Sequence, residues 1–191
     1  VGISMGGFVG ALFAAVEPLV GPTVLNVAGG NFGLLLRESE SYSTLLEGAV
    51  EFGTFEYLQT LHFIQWLGEH ADPYVFARHL TRDPIQELVY DPVEDAYTEA
   101  GALPIKEVML QMALDDPTVP NSSTYLLAGE LGVDIGPTTF ENVGHGFLIT
   151  ATPSVEQTCA RQQVAEWFRS GFDGVASLPA SLHAQSCSGG L

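Results

Sequence analysis

Three short stretches carry the side chains that could make and break an acyl bond. The first is Gly2-Ile3-Ser4-Met5-Gly6, a G-x-S-x-G pattern in which a serine sits on a tight turn between a strand and a helix. Such a serine occupies a sparsely allowed backbone conformation, and Gly2 and Gly6 are expected there because a Cβ would strike the adjoining backbone. The second stretch is Asp115-Asp116-Pro117-Thr118-Val119-Pro120 and the third is Gly144-His145-Gly146-Phe147. A serine at its ordinary pKa is a poor nucleophile. A histidine that takes its proton activates it, and a carboxylate that orients the imidazole stabilises the imidazolium that forms. Residues 6–16 read as a helix of small side chains beginning just behind Ser4. Its first amides and positive dipole end suit a developing oxyanion, with the Met5 amide as one donor.

These groups need elements that bring them together. Thr23-Val24-Leu25-Asn26-Val27-Ala28 reads as a short buried strand, followed by Gly29-Gly30-Asn31-Phe32-Gly33. That loop has neither G-x-G-x-x-G nor a Walker lysine, so a tight chain crossing near the site mouth is the reading it supports. From 34 to 103 the pattern turns helical, with helices expected at 73–79 and 84–88, each entered through Asp-Pro. So long an insertion between strands reads as a helical cap over an apolar pocket, or as extra packing on the sheet. A strand over 105–112 would deliver the Asp115-Asp116 pair, and one over 136–143 would deliver His145. In an open α/β sheet, ligands bind beyond the carboxyl ends of strands, which is where these groups fall. Helices over 122–131, ended by Gly132, and 154–172 complete the domain, and residues 175–191 read as a loose tail. Phe147 reads as packing, and His62, His70 and His79 lack the spacing of metal ligands.

The 191 residues fit one domain of globular composition, with a formal charge of −17. With six Lys and Arg and no basic cluster, nucleic acid and anionic membrane surfaces are poor candidates for partners. The sequence holds no apolar run long enough to span a membrane. Cys159 and Cys187 match no zinc or redox motif; they could pair in an exported protein or remain free thiols.

The order serine, acid, histidine, separated by 112 and 29 residues, is that of the α/β-hydrolases. The chain resembles the C-terminal two-thirds of such a domain through G-I-S-M-G at 2–6, D-P-T-V-P at 116–120 and G-H-G-F at 144–147. Many family members carry D-x-x-V-P in the acid loop, and aligning Val119-Pro120 with it selects Asp116 over Asp115. L-N-V-A-G-G at 25–30, H-F-I-Q-W at 62–66 and the Asp72-Pro73 pair are similar to segments of large exported bacterial lipases of the virulence-factor type.

The resemblance implies a mostly parallel sheet with a helical cap and a serine hydrolase cleaving carboxylic esters, a lipase or esterase. It implies Ser4 as nucleophile, His145 as general base, Asp116 as orienting acid and Met5 as oxyanion donor. The substrate would be a small-molecule or lipid ester, no cofactor or metal would be needed, and the setting would be extracellular or the cell surface. Peptidases and thioesterases use the same three groups, and a silent hydrolase-fold scaffold is the reading from another class. The strand leading into Ser4 and the second oxyanion donor are expected upstream, in an N-terminal part the domain needs. Alone, the 191 residues are expected to aggregate through an open edge at 23–28.

Overall fold

The computed structural model describes residues 1–187. The chain enters on a two-residue strand, β1 (Gly2–Ile3), and turns at Ser4 into helix α1 (Met5–Val16). Strand β2 (Thr23–Asn26) follows, then α2 (Phe32–Glu38), α3 (Ser43–Glu47), α4 (Phe55–Gly68) and α5 (Pro73–Thr81). An antiparallel hairpin, β3 (Gln86–Asp91) and β4 (Ala96–Ala102), precedes β5 (Val108–Ala113) and α6 (Asn121–Leu131). The last elements are β6 (Thr139–Phe140), α7 (Val155–Asp173) and α8 (Ala184–Cys187).

The main sheet runs β1-β2-β5-β6, parallel throughout. All residues of β2 and β5 are buried, as parallel strands covered on both faces must be. On one face Leu25, Leu110 and Met112 pack with Phe8, Ala11 and Ala15 of α1 and with Leu127 and Leu131 of α6. On the other, Val27, Ala113, Phe140 and Phe147 pack with Cys159 and Ala160 of α7. A side chain as large as Phe147, fully buried, contributes about 2 to 3 kcal/mol.

That second face also holds a file of buried amides. Asn26 Nδ2 donates to Gln111 Oε1, Gln111 Nε2 donates to Gln163 Oε1 and the Ala160 carbonyl, and Gln163 Nε2 donates to the carbonyls of Pro137 and Leu182. These partners replace the water lost on burial for the two glutamines and for Asn26 Nδ2, whereas Asn26 Oδ1 is buried without a partner among the described residues. The file ties β2 and β5 to α7 and to the C-terminal segment.

Several expectations are corrected. Residues 84–88 are not helical: Leu88 to Asp91 pair with Glu99 to Ala96, and Tyr90 and Tyr97 meet across the hairpin with ring centroids 5.4 Å apart. The cross-strand pairing overrides the local Asp83-Pro84 helix-start signal, because β-branched and aromatic residues gain more from such pairs. Segment 34–103 is therefore helical only to residue 81. β2 lies inside the sheet, flanked by β1 and β5, so the edge is β1 rather than 23–28. The expected strand over 136–143 shrinks to two residues, since Gly136-Pro137-Thr138 forms a 3-10 turn. The tail is not loose where it is described. Ala184 is buried, the Leu182 carbonyl is hydrogen-bonded, and Cys159 and Cys187 form a disulfide; residues 188–191 of that expected tail lie outside the described residues.

Candidate active site

The turn at Ser4 has φ 54° and ψ −122°, a region L-residues rarely occupy. Three hydrogen bonds hold it there. The Ser4 amide donates to the Asn26 carbonyl at 2.9 Å, and the Ser4 carbonyl accepts from the amides of Gly7 and Phe8 as α1 begins. A Cβ at Gly2 would lie 2.2 Å from the Gly6 carbonyl oxygen, and one at Gly7 would lie 2.7 Å from Cβ of Ala28. Gly2 is thus required as expected, whereas a Cβ on Gly6 would meet nothing within 4 Å. The second close approach belongs to Gly7, where α1 crosses β2.

Asp116 and His145 converge on Ser4 from two other strand ends. His145 Nε2 is 2.7 Å from Ser4 Oγ, and His145 Nδ1 is 2.7 Å from Asp116 Oδ2. A carboxylate only accepts, so Nδ1 carries the proton and Nε2 is left to accept from the serine hydroxyl. The second carboxylate oxygen, Asp116 Oδ1, accepts from the amides of Thr118 at 2.8 Å and Val119 at 3.1 Å. With its side chain 2% exposed, Asp116 has its acceptors committed and little room to rotate. Asp115, its neighbour, is exposed and sits at φ 56°; its amide donates to Asn121 Oδ1, so it turns the chain. The glycines beside His145 are not sterically demanded. A Cβ on Gly144 would meet nothing, and on Gly146 only an ordinary contact at 3.7 Å. His145 is placed by the turn itself, through the Phe147 amide on the Gly144 carbonyl, and by the burial of Phe147.

The Met5 amide lies at the start of α1, where the first N–H groups have no intrahelical acceptor. Its side chain is largely exposed at the mouth of a cleft of about 230 Å³ that opens beside Ser4. Phe8 and Phe32, stacked 6.1 Å apart, line one part of the cleft; Leu35, Leu36, Tyr42 and Val119 line the rest. Among the described residues, no group of three or more His, Cys, Asp or Glu side chains is arranged to hold a metal ion, and no helix is long and apolar enough to cross a membrane.

The structure adds roles that local patterns do not show. Asp72 caps α5 through the Tyr74 amide, as its place before Pro73 predicts, but its carboxylate also accepts from the amides of Asn31 and Phe32 and from Gln65 Nε2. It is fully buried and joins the starts of α2 and α5. Gly30 is pressed into the same junction, where a Cβ would lie 2.7 Å from Tyr74 Cβ. Asp72→Ala leaves four donors facing a hole. We expect it to cost about 3 kcal/mol or more in urea unfolding of the full natural chain, well above Asp72→Asn. At the other end of α2, the Ser122 hydroxyl and then the Arg37 guanidinium hold the Glu38 carboxyl below the usual carboxylate range. Val27 at φ 45°, a β-branched residue in the left-handed region, follows β2 directly and carries its own strain.

No protein-family model matches the chain, and no curated protein matches it. Among solved structures it is similar to the acylaminoacyl peptidase of Pyrococcus horikoshii in an orthorhombic crystal form, with a TM-score of 0.54 and 12% identity. The match covers 94% of this chain and 25% of that one. The fold is that of the α/β-hydrolases. A second structure, an acylaminoacyl peptidase in complex with Z-Gly-Gly-Phe-chloromethyl ketone, matches at a TM-score of 0.49 and 13% identity, over 98% of this chain and 25% of that one. The chain therefore spans a quarter of the length of either peptidase. Within the α/β-hydrolase fold, β1 and α1 form the strand-turn-helix that carries Ser4, and the ends of β5 and β6 lead into the loops of Asp116 and His145.

Proposed function

We propose that this chain carries the reacting centre of a serine hydrolase that cleaves carboxylic esters through an acyl-enzyme on Ser4. The observation that carries the reading is His145 bridging Ser4 Oγ and Asp116 Oδ2 at 2.7 Å on each side. In the mechanism, His145 Nε2 takes the hydroxyl proton as Ser4 Oγ attacks the carbonyl, and Asp116 stabilises the imidazolium. The carbonyl oxygen, now negative, is stabilised by the Met5 amide and the positive end of α1. As the tetrahedral adduct collapses, His145 gives its proton to the departing alcohol. Water then repeats the cycle and frees the acid.

The helical part of segment 34–103 acts in this reading as a cap over the cleft, and the Cys159–Cys187 disulfide supports an extracellular or cell-surface setting. A second reading, hydrolysis of an acylated peptide, is favoured by the name of the structural neighbour, acylaminoacyl peptidase. The same three residues would serve it, with the amine as leaving group.

Fluorophosphonate labelling of the full natural chain with peptide mapping tests the reaction class. Label on Ser4, lost in His145→Ala, is the expected result; a folded protein without label would remove the hydrolase reading. Turnover of p-nitrophenyl esters against N-acyl peptides then separates the two substrate readings.

A further inference from the structure

The apolar cleft beside Ser4 and the loop that holds Asp116 share a residue. Val119 lines the cleft with its side chain while its amide donates to Asp116 Oδ1 at 3.1 Å. The facing wall is α2, which carries Phe32, Leu35 and Leu36. That wall is anchored at both ends. Asp72 holds the amides of Asn31 and Phe32 at its start. At its end, Ser39, 1% exposed, reaches across to the acid loop, with Oγ 2.8 Å from the Thr118 carbonyl and 3.3 Å from that of Pro117. The Ser41 amide also donates to the Pro117 carbonyl, and the hydroxyls of Ser41 and Thr118 meet at 3.3 Å. Thr118 is itself the residue whose amide donates to Asp116 Oδ1 at 2.8 Å.

We propose that the cleft receives the uncharged hydrocarbon part of the substrate, and that Ser39 is a positioning residue coupling occupancy of the cleft to the placement of Asp116. The proposal rests on the hydrolase reading above. The chemistry of the lining selects the ligand. No charged side chain borders the cleft, so a carboxylate or ammonium entering it would lose its water and gain no counter-ion. A hydrocarbon chain instead replaces water against Phe8, Phe32, Leu35 and Leu36. An occupied cleft presses on α2 and Val119, the two elements tied to the acid loop, and so fixes the acceptor that orients His145. Binding energy from a part of the substrate remote from the ester is thereby spent at the reacting centre, and it appears in kcat.

The test is a kinetic series on the full natural chain with p-nitrophenyl acetate, butanoate, hexanoate and octanoate, plus the mono-p-nitrophenyl ester of hexanedioic acid. The hexanoate-to-acetate ratio of kcat is expected to be roughly tenfold or more, and the charged acyl group is expected to lose at least about tenfold in kcat/KM against hexanoate. Ser39→Ala is expected to flatten the kcat ratio and Ser39→Thr, which keeps the hydroxyl, to restore it. Length dependence confined to KM, an unchanged ratio in Ser39→Ala, or equal use of the charged ester would each overturn the proposal.

A readout free of turnover separates its failure from that of the hydrolase reading. The downfield Nδ1 proton of His145 in NMR is expected to shift on adding octan-1-ol, in the parent and in Ser39→Thr but not in Ser39→Ala. That shift in a protein that neither labels nor hydrolyses any ester would retain the coupling and remove the hydrolase function. Absence of the shift in a protein that labels at Ser4 would do the reverse.

Discussion

Ser4→Ala is expected to lower kcat on any ester substrate by about a millionfold, with His145→Ala close behind and the double variant no worse than either alone. The equality is the informative part. Ser4 and His145 lie 2.7 Å apart and act on one proton, so the loss of either removes the same step. A merely structural pair would instead show its losses in the urea midpoint rather than in kcat, where residues in contact couple as well. The measurement is kcat for the two single variants and the double variant, with urea midpoints alongside. Multiplying effects, or activity within tenfold of the parent in Ser4→Ala, would place the chemistry elsewhere.

Asp116→Asn is expected to lower kcat by about ten-thousandfold, while Asp115→Asn stays within a few-fold of the parent. An asparagine at 116 keeps the shape, and its oxygen can still accept from Thr118 and Val119. Its amide then points toward His145 Nδ1 as a donor and forces the imidazole into the tautomer whose Nε2 carries the proton. That tautomer cannot accept from Ser4. Asp115 is solvent-facing on a turn at positive φ, a place where asparagine is as comfortable as aspartate. A large kcat loss in Asp115→Asn, or none in Asp116→Asn, would reverse the choice between the neighbours.

Much of the candidate site could be read from local chemistry. Gly2 and Ser4 form a motif in which a Cβ and a φ value decide everything within five residues, and the tight approach at Gly2 follows from it. Gly132 closes α6 in the left-handed conformation, with φ 67°, and Ser154 Oγ caps α7 by accepting from the Gln157 amide while the Ser154 amide donates to Gln157 Oε1. The reading of Gly6 as sterically forced fails, since a Cβ there would meet nothing within 4 Å. Whether a Cβ collides depends on what the chain packs beside it, and those neighbours are distant in sequence; it is Gly7 against Ala28 that is tight. The 84–88 segment was misread for a similar reason. Asp83-Pro84 carries a true helix-start pattern, but strand 96–102 supplies cross-strand partners that a single segment does not reveal.

The sequence by itself determined the chemical types and their order, a serine on a glycine turn, an acid at the head of D-x-x-V-P, a histidine on a later loop, together with the charge of −17. These are properties of composition and of bonds made within a few residues. Only the tertiary structure decided that Asp72 and Ser39 pin the two ends of α2, that Val119 belongs to both cleft and acid loop, and that Cys159 pairs with Cys187. Apart from the Val119 amide on Asp116 Oδ1, three positions away, each of these contacts joins residues 28 or more positions apart, and such contacts exist only after the sheet has brought its strand ends together.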